Sequence, residues 1–164
     1  IYEPVPESHD VLNKDIAFAV IKLLEGVTEG GSGSRLRTQG GGAGDNRWRG
    51  YPYMFTNPIA GKTGTTQNQS DGWFMGMVPN LTTGVWVGCE DRSARFKGIT
   101  YGQGATAALP IWGLFMKKCY ADTSLNVSKK DFERPSNLSI KVDCWAPVVK
   151  DSTEIEQDTD EFAL

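Results

Sequence analysis

The sequence predicts an α+β fold in which an antiparallel sheet is flanked by helices. Three observations carry that expectation. Apolar residues recur at helical spacing from Leu12 to Val27. Three short segments rich in aromatic and β-branched residues lie between Ile59 and Glu90, separated by turn-forming residues. A second helical pattern then follows over Ala105–Tyr120.

Residues 1–8, with Pro4 and Pro6, read as an extended lead-in. In the first helix Leu12, Ile16, Val20, Leu23, Leu24 and Val27 form one apolar stripe, expected to pack on the core. Asn13 is placed to cap its start, with Asp15 in the first turn and Gly26 as its stop. From Glu29 to Pro58 the periodicity fails, and glycine-rich runs mark a long loop. Arg35, Arg37, Arg47 and Arg49 in that loop either form an anion-binding patch or are simply solvated.

The strands are expected at Ile59–Thr66, Gly72–Pro79 and Thr82–Glu90. Gln67–Asp71 makes the first turn, and Asn80-Leu81 a tight hairpin between the second and third strands. Their alternation is not clean, so the meander is expected to be substantially buried. Asp91–Gly104 reads as a polar connection. The second helix places Ala108, Ile111, Trp112, Phe115 and Cys119 on one face, with Pro110 near its first turn. Lys117 and Lys118 lie at its C-terminal end, where cations suit the helix dipole. A short strand is expected at Leu138–Cys144. Residues 1–150 are read as one domain or part of one, and 151–164 as an acidic tail without a packed structure.

Composition excludes several classes. The chain has 164 residues, enough for one core, and is 39% hydrophobic and 23% charged. A net charge of −3 without a basic block gives no surface for nucleic acid. No run approaches the roughly 18 apolar residues of a membrane span. The chain opens Ile1-Tyr2-Glu3-Pro4 and reads as an interior cut. Cys89, Cys119 and Cys144 lack metal-ligand spacing and His9 is the only histidine, so neither a metal nor a cofactor is expected.

Chemistry concentrates in Ala60-Gly61-Lys62-Thr63-Gly64-Thr65-Thr66. Gly61-Lys62-Thr63 matches the end of a phosphate-binding loop, but the first glycine of that pattern falls where Thr56 stands. The residues that follow are turn-formers and not the helix such a loop must open. The alternative is the K-T-G box of serine acyl-transfer enzymes. Its surroundings support this. Lys62-Thr63-Gly64-Thr65-Thr66, then Asp71-Gly72-Trp73-Phe74-Met75-Gly76, then Val85-Trp86-Val87-Gly88 resemble the KTGTT, D-x-WF-x-G and VWVG run of class A penicillin-binding proteins. Pro110-Ile111-Trp112 with Phe115-Met116, and Gly26-Val27-Thr28-Glu29-Gly30 with the residues leading into it, resemble further segments of that family.

The resemblance covers roughly residues 10–120 and implies the C-terminal part of a transpeptidase domain with a partial β-lactamase/transpeptidase-like fold. It implies a D-Ala-D-Ala transpeptidase that cross-links peptidoglycan stem peptides and binds β-lactams. Lys62 would then be catalytic, favouring proton removal across the cleft. Thr65 would supply its N–H to the oxyanion hole. Lys62, Thr63, Gly64 and Thr65 would bind substrate, the Thr63 and Thr65 hydroxyls by bonding a terminal carboxylate and Gly64 because a bare Cα lets another backbone approach. The family also implies a membrane anchor and a glycosyltransferase domain upstream, and a site outside the cytoplasmic membrane.

The nucleophile is missing. No Ser-x-x-Lys occurs in the chain, and Ser124-Leu125-Asn126 matches the family's Ser-x-Asn triplet only by letter, on the wrong side of K-T-G. The chain alone is therefore expected to be inactive. Its partners are expected to be the upstream part of the same domain and, through an unpaired strand edge, another copy. The competing expectation is a non-catalytic peptide or cell-wall binding module on the same fold.

Overall fold

The computed structural model describes residues 11–37 and 51–142. The proline lead-in, His9, Arg47, Arg49, Cys144 and the acidic tail lie outside the described residues. The fold is α+β: a three-stranded antiparallel meander with helices packed against it.

Helix α1 spans Lys14–Glu29, and the Asn13 side chain accepts the Asp15 N–H at 2.9 Å to cap it. Gly26 does not stop it. A glycine inside a helix costs only about 1 kcal/mol, and a tertiary contact outweighs that here. Thr28 is fully buried and donates to the Ile59 carbonyl at 2.6 Å, which draws the last turn onto the sheet. The helix is also turned the other way round from the sequence expectation. Phe18, Glu25 and Thr28 face inward, while Leu12, Ile16, Val20 and Leu23 are exposed. The apolar stripe is real, but only its end is covered: Leu24 and Val27 are half-buried, and the part from Leu12 to Leu23 is exposed.

The described residues that follow α1, up to Arg37, are held by defined contacts. A 3-10 turn at Ser34–Leu36 buries Leu36 completely. Arg35 donates to Thr106 Oγ1 (2.6 Å) and the Ala105 carbonyl (3.1 Å). Arg37 donates to the carbonyls of Phe55 and Asn57, to Thr28 Oγ1 and to Glu29. Both arginines tie the chain to itself instead of forming an anion patch.

Strands β1 (Ala60–Thr65), β2 (Asp71–Val78) and β3 (Leu81–Gly88) pair in the order β1-β2-β3. Val78 pairs with Leu81, so the hairpin turn is Pro79-Asn80, one residue earlier than expected. Asn80 accounts for the shift: its side chain accepts the Ser128 N–H and donates to the Asn126 carbonyl, each at 2.8 Å. Burial alternates cleanly along β2 and β3, contrary to expectation. Large apolar residues stand on both faces, and only one face is covered.

That covered face meets helix α4. The expected second helix is split into α3 (Gly104–Ala107) and α4 (Leu109–Ala121), with Pro110 in the first turn of α4, and a further short helix, α2 (Ile99–Gly102), lies in the stretch read as a polar connection. Leu109, Trp112, Met116 and Cys119 are its inner face, whereas Ile111 and Phe115 turn outward. Trp112 stacks edge-on against Phe74 and Phe55, with centroids 5.2 and 6.3 Å apart. Gly76 makes this possible, because a Cβ there would stand 2.5 Å from the indole. Tyr51, Tyr53 and Phe55 add rings to the same cluster from an extended segment before β1. Residues 138–142 form no strand, and the rest of the expected strand lies outside the described residues.

Candidate functional site

The Lys62–Thr65 box occupies most of β1, an edge strand of the sheet. Lys62 and Gly64 register with Met75 and Trp73, so they share the uncovered face. Thr63 and Thr65 register with Phe74 and Gly72, on the face that carries the helices.

The outer edge of β1 has no strand partner among the described residues. The carbonyl just before it, that of Ile59, is closed off by Thr28 Oγ1. The Thr63 carbonyl accepts from Lys62 Nζ at 2.8 Å. In a strand the N–H and C=O of one residue point to the same side and alternate along the chain. Thr63 and Thr65 therefore direct their main-chain groups outward, and Lys62 and Gly64 direct theirs to β2. The edge is sealed where α1 ends and open from Thr63 onward. An incoming strand would meet the Thr63 carbonyl where the Lys62 ammonium now sits.

The two threonine hydroxyls are held from behind. Thr65 Oγ1 accepts the Gly104 N–H at 3.0 Å, from the start of α3. Gly104 presses on the strand so closely that a Cβ would stand 2.3 Å from the Gly64 and Trp73 carbonyl oxygens. Thr63 Oγ1 lies 2.7 Å from Ser32 Oγ, in the loop after α1. Each threonine hydroxyl keeps bonding capacity beyond these contacts.

The turn after the box is braced by Asp71. Its carboxylate accepts from Trp86 Nε1, Thr66 Oγ1 and Ser70 Oγ, all at 3.0 Å, and Arg92 stands 3.8 Å away. These bonds, led by the indole N–H, hold the carboxyl below the usual carboxylate range. Within the turn Asn68 and Gln69 adopt left-handed backbone (φ 61° and 54°), which side chains other than glycine take up only under local constraint. Beside it Trp73 and Trp86 form a tilted pair 6.3 Å apart on the uncovered face.

Sequence reasoning brought Lys62, Thr63, Gly64 and Thr65 together but missed Ser32, Gly104 and Asp71 as their supports. The Gly31-Ser32-Gly33 triplet, which follows the helix end already compared with the family, was the available signal for Ser32. Ser124–Asn126 sits against the Pro79-Asn80 turn, at the sheet end away from Thr65. Cys89 is exposed, Cys119 is buried, and both are free thiols. Among the described residues no group of three His, Cys, Asp or Glu could hold a metal, and no helix is long and apolar enough to cross a membrane.

A box of this kind on an open edge, in an α+β sheet of this topology, defines a class. The chain belongs to the penicillin-binding proteins, and within them it is similar to penicillin-binding protein 1A. It is 30% identical to that protein of Aquifex aeolicus over 92% of this chain and 18% of the relative. It is 32% identical to that of Escherichia coli over 65% of this chain and 13% of the relative. The crystal structure of penicillin-binding protein 1A from Haemophilus influenzae superposes on 77% of this chain and 17% of its own, at a TM-score of 0.51 and 26% identity. The chain thus spans less than a fifth of these relatives' length. No protein-family model matches it.

Proposed function

We propose that residues 1–150 supply the substrate-holding wall of a serine-type D,D-transpeptidase domain, which cross-links peptidoglycan stem peptides and is acylated by β-lactams. The observation that carries this reading is the open stretch of β1 at Thr63–Thr65. A stem peptide would add there as an antiparallel strand, exchanging main-chain hydrogen bonds with Thr63 and Thr65. Gly64 has no side chain on the uncovered face. Lys62 would leave the Thr63 carbonyl and place its charge toward a substrate carboxylate and the attacking serine. The Thr65 N–H, directed outward, would be one donor of the oxyanion hole.

The serine is not in this chain, which on this reading is inactive alone. Its partner is the part of the same domain that carries Ser-x-x-Lys, working on the outer face of the cytoplasmic membrane. The outer edge of β3, which has no strand partner among the described residues, would offer a second copy a place to pair until that partner is present. The absence of Ser-x-x-Lys also favours a second reading, a binding module that holds peptides without reacting.

Two measurements test the proposal. A labelled penicillin should leave no adduct on this chain that survives denaturation. An acyl-D-Ala-D-Ala peptide should shift the amide resonances of Thr63, Gly64 and Thr65. Shifts confined to other strands would overturn it, and an encoded sequence without Ser-x-x-Lys ahead of Ile1 would favour the binding module.

A further inference from the structure

We propose that Ser32 is a positioning residue for the box, fixing the Thr63 hydroxyl so that β1 presents two O–H donors to a peptide's terminal carboxylate. The inference rests on the reading of β1 as a substrate-binding strand whose Thr63 and Thr65 hydroxyls bond a terminal carboxylate, as the family resemblance implies, and what it adds is a role for a residue outside that strand.

The proton count favours it. A hydroxyl has one O–H to give and lone pairs to receive. The Gly104 N–H already donates to Thr65 Oγ1, so the Thr65 proton is free to be given outward. Ser32 Oγ stands 2.7 Å from Thr63 Oγ1, a pair in which either hydroxyl can be the donor. When Ser32 donates, Thr63 also keeps its proton for a ligand. Two donors on alternate residues of one strand match an anion with two oxygens, and each bond to a charged acceptor is stronger than one to a neutral acceptor.

The loop is built to aim Ser32. The Gly31 N–H donates to the Gly26 carbonyl at 3.1 Å, and the Gly33 N–H to the Val27 carbonyl at 2.9 Å. Both glycines press on the helix end, and a Cβ on Gly31 would stand 2.9 Å from Val27 Cα. Two residues beyond Gly33, Arg35 ties the loop to Thr106 and Ala105 in α3, the element that holds Thr65 through Gly104. The two hydroxyls are therefore set by one connected frame. Ser32 itself is exposed and adds nothing to the core, so its hydroxyl is separable from folding.

The test uses this chain and two peptides, acyl-D-Ala-D-Ala with a free carboxylate and the same peptide ending in an amide. The wild type should bind the carboxylate form more tightly. Ser32→Ala should reduce that preference by about five-fold, leave binding of the amide form unchanged, and let the Thr63 side chain average between rotamers in scalar-coupling measurements. Ser32→Thr should restore both. A Thr63 rotamer that stays fixed in Ser32→Ala, or a carboxylate preference that survives it, overturns the inference. A wild type that holds Thr63 fixed but does not distinguish the peptides overturns the carboxylate assignment, and with it the substrate-wall reading. Loss of the Thr63 rotamer only in Ser32→Ala would still separate that failure from a failure of positioning.

Discussion

Phe74 and Met75 are neighbours on one strand, yet Phe74 is 0% exposed and Met75 43%. The difference is the sheet's two faces. On one, Phe74, Val78 and Gly76 meet Trp112, Leu109 and Met116 in a continuous core. On the other, Trp73, Met75 and Trp86 stand uncovered beside Lys62 and Gly64. Outward-facing Ile16, Val20 and Leu23 on α1, Leu12 just before it, and Ile111 and Phe115 on α4 extend the same imbalance. The chain carries more apolar surface than its described residues cover.

Truncation on the packed face should have the largest effect. Trp112 is fully buried among Phe74, Phe55 and Gly76, so Trp112→Ala should cost about 3–5 kcal/mol. Urea unfolding measures it, and a loss below about 1 kcal/mol would mean that this core is not the one holding the sheet. Next comes the contact where core and site meet. Gly104→Ala sets a methyl against the Gly64 and Trp73 carbonyl oxygens, and over-packing of this kind costs about 1–3 kcal/mol. It should also move Thr65, visible as shifted amide resonances along β1 while those of α1 stay in place.

A third test is electrostatic. The folded carboxyl of Asp71 is held below its unfolded value, first by Trp86 and then by Ser70 and Thr66. A depressed acid contributes stability above its unfolded pKa, near 4, and loses it as pH falls through the lower folded value. Asp71→Asn should therefore destabilise at neutral pH and flatten part of the acid limb of a stability-versus-pH curve. The rest of that limb should persist, since Asp15, Asp91 and Asp122 are depressed in the same direction by their own serine partners.

The sequence made the meander and the box legible because both are local. Strand composition and a short motif with its neighbours need no knowledge of what lies across from them. What it hid was orientation. The stripe from Leu12 to Leu23 has helical spacing, but spacing does not say whether a partner is present, and it is Phe18, Glu25 and Thr28 that turn in. Leu36 vanished into a glycine-rich loop, and Ser32 and Gly104, far from β1 in sequence, reached it only through tertiary contacts. Chain-distant supports of this kind leave no periodic trace.

The smallest effect is expected on the uncovered face, where it is also most telling. Met75→Ala removes a half-exposed side chain lying across Gly84, and truncations at such positions change stability by roughly 0.5 kcal/mol or less. The measurement belongs at two protein concentrations. If the face is bare in solution, the small cost is the same at both. If a second copy covers it, stability becomes concentration-dependent and Met75→Ala grows toward a core truncation as concentration rises. A cost of several kcal/mol at every concentration would overturn the contrast between the faces, because it would require residues of this same chain to cover Met75.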